Sequence, residues 1–123
     1  MHLGKEQRWH LFLSHNWGSG QDQVAVIKRQ LQNLMPGISI FLDVDDLEDI
    51  GSLERYIWES AVILFFLSKG YFRSKNCLRE VQETATQLKP VVLVHEGDLM
   101  HGGDTFEALF AESPVELRPF IFE

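Results

Sequence analysis

The stretch Ala61-Val62-Ile63-Leu64-Phe65-Phe66-Leu67 decides the fold. It is apolar at every position, so it cannot be a strand with one face in water. It reads as a parallel strand covered by helices on both sides. At seven residues it is also far short of the ~20 that a membrane span needs. Three shorter runs share its character: His10 to Ser14 (HLFLS), Ile38 to Leu42 (ISIFL) and Val91 to Val94 (VVLV). Helical patterns separate them. From Asp22 to Met35 the apolar residues Val24, Ile27, Leu31 and Leu34 recur every three or four positions, one face of a 3.6-residue period. Asp22 is the expected N-cap, and Pro36-Gly37 the stop. Ser52 opens a short helix to about Glu59, with Leu53, Ile57 and Trp58 on its apolar side. Asn76 to Lys89 reads as a helix ended by Pro90, and Thr105 to Glu112 as a short helix with Phe106, Leu109 and Phe110 inward. Gly97 to Gly103 reads as a glycine-rich loop.

Strand and helix alternate four times, which predicts an α/β fold: a flavodoxin-like three-layer α/β/α arrangement with a mostly parallel sheet of four to five strands. With 123 residues, a single domain is expected over residues 10–123 after an extension at 1–9. The net charge of −7 argues against a surface for nucleic-acid phosphates or anionic lipid. Asp43, Asp45, Asp46, Glu48 and Asp49 place five of the negative charges in one seven-residue loop. A lone cysteine, Cys77, excludes an internal disulfide and fits a reducing compartment. The start of the chain has no signal-peptide pattern, so a cytoplasmic location is expected. The histidines at 15, 95 and 101 lack zinc-motif spacing, and no metal is expected.

Ligands of open α/β sheets bind beyond the carboxyl ends of the strands. The first strand ends in Ser14-His15-Asn16-Trp17, the second in Asp43, the third in Ser68 and the fourth in His95-Glu96. A receiver domain would need an acidic pair after the first strand and an aspartate after the third; Ser14-His15 and Ser68 stand there instead. No phosphate-binding Gly-x-x-x-x-Gly-Lys-[Ser/Thr] loop is present, and Gly18-Ser19-Gly20 fails the dinucleotide fingerprint at Gln23, which leaves those glycines as a flexible loop.

Four motifs in order resemble the TIR (Toll/interleukin-1 receptor/resistance protein) domain family. They are Leu11-Phe12-Leu13-Ser14-His15; Phe41-Leu42-Asp43 followed by Leu47-Glu48-Asp49-Ile50-Gly51; Glu59 through Tyr71; and Ser74-Lys75-Asn76-Cys77-Leu78-Arg79-Glu80-Val81. The resemblance implies one of two activities. Some TIR domains hydrolyse NAD at the nicotinamide–ribose bond; others act only by pairing with further TIR domains in signal transduction. In the enzymes one glutamate on the helix after the third strand is catalytic, and it maps to Glu80. NAD is then substrate, with no separate cofactor. The resemblance puts Ser14, His15, Asn16, Trp17, Asp43, Ser68, Asn76 and Cys77 around the nucleotide. Trp17 stacks on a base or covers the sheet edge, Asp43 bonds a ribose or caps its strand, and Trp58 and Cys77 read mainly as core. Lys69 and Arg73 offset pyrophosphate charge or are ordinary surface residues.

Asp45, Asp46, Leu47, Glu48, Asp49, Ile50 and Gly51 match the family's interaction loop, which implies self-association through TIR–TIR contacts, in signalling or defence. Two departures stand out. The family's enzymes often carry a tryptophan four residues before the glutamate, where this chain has Asn76. The family's domain also normally ends in a further strand and helix. Here Phe120-Ile121-Phe122 reads as the start of that strand, which suggests a domain truncated or excised from a longer protein.

Overall fold

The computed structural model describes residues 7–42 and 53–122, apart from the side chains of residues 17 and 21. Four strands, β1 (Trp9–His15), β2 (Ile40–Leu42), β3 (Ser60–Leu67) and β4 (Val91–His95), form one sheet in the order β2-β1-β3-β4. Every pairing is parallel, with Leu13 opposite Leu42 and Leu64, and Leu64 opposite Val92. β3 is central and apolar on both faces, as its unbroken hydrophobic run predicts. Ile63, Phe65 and Leu67 join one core cluster, while Leu64 and Phe66 join the other.

Helix α1 (Trp17–Leu34) covers the second of these faces, with Val24 fully buried and Ile27 and Leu31 packed against the cluster. The opposite face lies under α2 (Leu53–Trp58), α3 (Lys75–Thr86), α4 (Phe106–Glu112) and α5 (Arg118–Phe122). The three-layer α/β/α arrangement expected from the sequence is therefore the one observed. A stack of Phe12, Phe41 and Tyr56, with ring centroids 5.0 and 4.7 Å apart, ties β1 to β2 and α2.

Several local expectations are overturned. α1 starts at Trp17, five residues before Asp22, and its N-cap is Asn16, whose Oδ1 accepts from the Gly18 N–H. Gly18-Ser19-Gly20 is thus the first turn of a helix and not a flexible loop. At Gly20 the lack of a Cβ allows the helix to lie directly on β3: an added Cβ would sit 3.0 Å from the Phe66 ring and 3.1 Å from the Ser68 hydroxyl. Leu34, at the last turn of α1, is exposed. Trp58 is 51% exposed instead of core, with the Lys89 ammonium 5.1 Å from its ring centre. Of the three residues expected inward on α4, Leu109 is buried, but Phe106 and Phe110 are exposed.

The segment Phe120-Ile121-Phe122 is helical, not a strand. Pro119 sits in the first turn of α5, where its missing N–H costs nothing, and Ile121 is buried in the core cluster that also holds Phe72. The loop from Asp43 to Gly51 and the Ser52 cap lie outside the described residues.

Candidate functional site

The strand order places a topological switch point between β1 and β3, where crossover connections leave in opposite directions. Each strand has a serine at its carboxyl end, Ser14 one residue before the last of β1 and Ser68 one residue after β3. Ser14 is fully buried near the end of β1, and its side chain points to the α3 face. Ser68, just past β3, is also fully buried, and its hydroxyl lies 2.7 Å from that of Ser19 on α1.

On the α3 side, the cap that starts the helix decides what faces the sheet. Gly70 adopts a left-handed conformation (φ 78°) that turns the chain into a single 3₁₀ turn, Tyr71–Arg73. Ser74 then caps α3, accepting from the Cys77 N–H at 3.3 Å. From that start the 3.6-residue period brings Cys77, Glu80, Val81 and Thr84 onto the buried face. Glu80 is only 2% exposed. The Ser14 hydroxyl donates to its Oε1, and Ser14 Oγ lies 2.6 Å from the hydroxyl of Tyr71, which is itself fully buried. Three polar side chains from β1, the 3₁₀ turn and α3 thus meet at the carboxyl end of the sheet.

On the α1 side of the same edge, a crevice of about 620 Å³ opens between Gly18, Ser19, Asp22, Gln23, Lys69, Met100, His101 and Gly102. Its size is that of a small-molecule site. Hydrogen bonds fix its walls. The Asn16 side-chain amide and the Ser19 hydroxyl both donate to the Lys69 carbonyl, at 2.9 and 2.6 Å. The Lys69 N–H donates to the Gly102 carbonyl at 3.0 Å, and the Gln23 amide to the His101 carbonyl at 2.6 Å. At the rim, His101 Nδ1 hydrogen-bonds the exposed Asp98 carboxylate, an ion pair whenever the imidazole is protonated. The hydrogen bond from His101 lowers the Asp98 carboxyl below its ordinary range, and the same bond raises the His101 imidazole.

The residues singled out from sequence are therefore dispersed. Ser14 and Glu80 meet; Ser68 and Asn16 brace the wall of the crevice. His15 is buried at the end of β1, and Cys77 is buried in the core cluster below α3. Asn76 is exposed on the first turn of α3. Arg73 pairs with Glu112 at 2.9 Å, whereas Lys69 is exposed in the crevice. Trp17 is the first residue of α1. Asp43 and residues 45–51 lie outside the described residues. In the sequence Tyr71 stands only as the end of the strand-exit motif and not as a site residue, because nothing local links it to Ser14, 57 positions earlier. Among the described residues no group of three metal-ligating side chains forms a cation site, and no helix is long and apolar enough to cross a membrane.

The parallel sheet of order β2-β1-β3-β4 between two helical layers defines an α/β protein of flavodoxin-like architecture, and the family comparison narrows it. The TIR domain model matches residues 11–108, so this chain belongs to the TIR domain family. Among solved structures, it is similar in fold to the TIR domain of the Toll-related receptor TRR-2 from Hydra magnipapillata. The TM-score is 0.62 at 13% identity, over 94% of this chain and 93% of that one. No curated protein matches the chain significantly.

Proposed function

We propose that this TIR domain hydrolyses NAD+ at the nicotinamide–ribose bond, with Glu80 as the catalytic carboxylate. The observation that carries the proposal is the burial of Glu80 against the Ser14 hydroxyl at the carboxyl end of β1. A carboxylate taken out of water costs several kcal/mol unless its oxygens are hydrogen-bonded. A glutamate serving only helix solubility would sit on the opposite face of α3. A carboxylate held by a neighbouring hydroxyl, near a sheet edge that binds ligands throughout this architecture, is preorganised to stabilise positive charge.

Cleavage of the bond generates an oxocarbenium-like transition state on the ribose. The C1′–N bond breaks and its electron pair passes to the nicotinamide ring. The ring starts cationic and leaves neutral, so no general acid is required. Water then bonds to C1′ and releases a proton. The Glu80 carboxylate supplies negative charge beside the developing cation or accepts from a ribose hydroxyl.

TIR domains also act through TIR–TIR contacts, and Asn76 favours a second reading in which this domain acts through them alone. At the position four residues before Glu80 it is exposed and offers no aromatic surface to a nicotinamide ring. The two readings separate in one assay. Concentrated protein is incubated with NAD+ and nicotinamide is measured, for the parent and for Glu80→Gln. Release that Glu80→Gln abolishes supports the enzyme. No release from the parent, even when tethered at high local concentration, leaves the interaction module. That reading expects concentration-dependent assembly that Asp45→Lys with Asp46→Lys weakens.

A further inference from the structure

We infer that Tyr71 and Ser14 are positioning residues for Glu80, forming a directed hydroxyl relay; this rests on the catalytic role proposed for Glu80. A serine hydroxyl carries one proton. That of Ser14 is given to Glu80 Oε1, so Ser14 Oγ has only lone pairs left for Tyr71. The 2.6 Å contact is therefore a donation from the Tyr71 hydroxyl to Ser14. The order runs from Tyr71 through Ser14 to the carboxylate, and each bond polarises the next in a dry setting.

The relay is anchored at its far end. Tyr71 is fully buried, its ring is T-shaped against Phe72 at 5.0 Å and tilted against Phe65 at 6.2 Å, and its backbone is set by the turn at Gly70. Both hydroxyls are fully buried and are bonded within the relay. They act by fixing where the carboxylate oxygen stands. This changes the role expected of Ser14 from a nucleotide contact to a support of the catalytic group, and adds Tyr71 to the site.

The test is steady-state nicotinamide release from NAD+ by the full chain, comparing the parent with Tyr71→Phe, Ser14→Ala and Glu80→Gln. Thermal unfolding is followed alongside to verify folding. Tyr71→Phe is expected to lower kcat about five- to tenfold, in keeping with the loss of one hydrogen bond, and Ser14→Ala by more, with KM within about twofold of the parent in both. The relay is overturned if both folded variants keep kcat within twofold while Glu80→Gln is inactive. It is equally overturned if Ser14→Ala raises KM and leaves kcat alone, the mark of a direct substrate contact. The catalytic role of Glu80 fails separately, when the parent releases no nicotinamide or Glu80→Gln matches it, and the relay falls with it.

Discussion

Replacing Gly20 by alanine sets two effects of similar size against each other, and the structure decides the sign. In an open helix, Gly→Ala stabilises by about 0.5–1 kcal/mol, because alanine loses less backbone entropy. At Gly20, however, the new methyl would stand 3.0 and 3.2 Å from two carbons of the Phe66 ring and 3.1 Å from the Ser68 hydroxyl. Neither neighbour can yield. Phe66 is buried on the central strand, and Ser68 is buried with its hydroxyl bonded to Ser19. Overpacking of this kind costs about 1–3 kcal/mol. Taking the middle of each range, the net expectation is a loss of a little over ~1 kcal/mol. For a urea m-value near 1.5 kcal/mol/M, that lowers the unfolding midpoint by roughly 1 M. Gly18→Ala is the control: two residues earlier on the same helix, an added Cβ would meet Asn16 Oδ1 at an ordinary 3.9 Å. It should be neutral or up to about 1 kcal/mol stabilising. Equilibrium urea unfolding of the three proteins measures both. A Gly20→Ala protein as stable as the parent, with an unchanged m-value, would refute the packing argument.

Three further outcomes follow from the geometry. Asn16→Ala removes both the α1 cap and the bond to the Lys69 carbonyl, and should cost about 1–2 kcal/mol in the same unfolding assay. An NMR titration should find His101 titrating above the ordinary histidine value of about 6.5, and Asp98→Asn should lower it toward that value, with the Glu96 charge still acting on it. Because its folded value is raised, what this histidine adds to stability is present below about pH 6.5 and lost as pH rises through the raised value. Asp98 is lowered, so its share is present above the ordinary aspartate value and lost as pH falls through the lowered one. Glu54 on α2 accepts three bonds from the Arg79 guanidinium on α3, one at 2.8 Å and two at 3.0 Å, and these hold its carboxyl below the ordinary range. The pair is well exposed, so Arg79→Met should lower stability by less than about 1 kcal/mol at neutral pH, and by still less once Glu54 is protonated.

What the sequence revealed and what it hid have separate physical causes. The four strands were legible because burial on both faces forces unbroken apolar runs, and β3 has the longest. Glu80 was singled out only by the resemblance of Ser74, Cys77 and Glu80 to the family's pattern; its burial comes from the Ser74 cap, which fixes the phase of the helix that follows. The start of α1 was not legible. Glycine disfavours a helix locally, and only contact with Phe66, 46 residues away in the chain and invisible to local propensity, makes Gly20 the residue that fits. Phe120-Ile121-Phe122 has the composition of a strand, but Pro119 before it suits a first helical turn, and Ile121 has a core to enter. Trp58 was misread because apolar bulk was equated with burial, whereas its ring takes up the Lys89 ammonium at the surface. Tyr71 was invisible as a site residue because its role exists only through a long-range bond.

The central claim is that the buried carboxylate of Glu80 cleaves NAD+, and nicotinamide release by the parent and by Glu80→Gln tests it most directly. The expected result is release by the concentrated parent and loss of at least about a hundredfold in the variant, the scale of removing one preorganised electrostatic group. Equal release by both proteins, or none by the parent at any concentration, would contradict it.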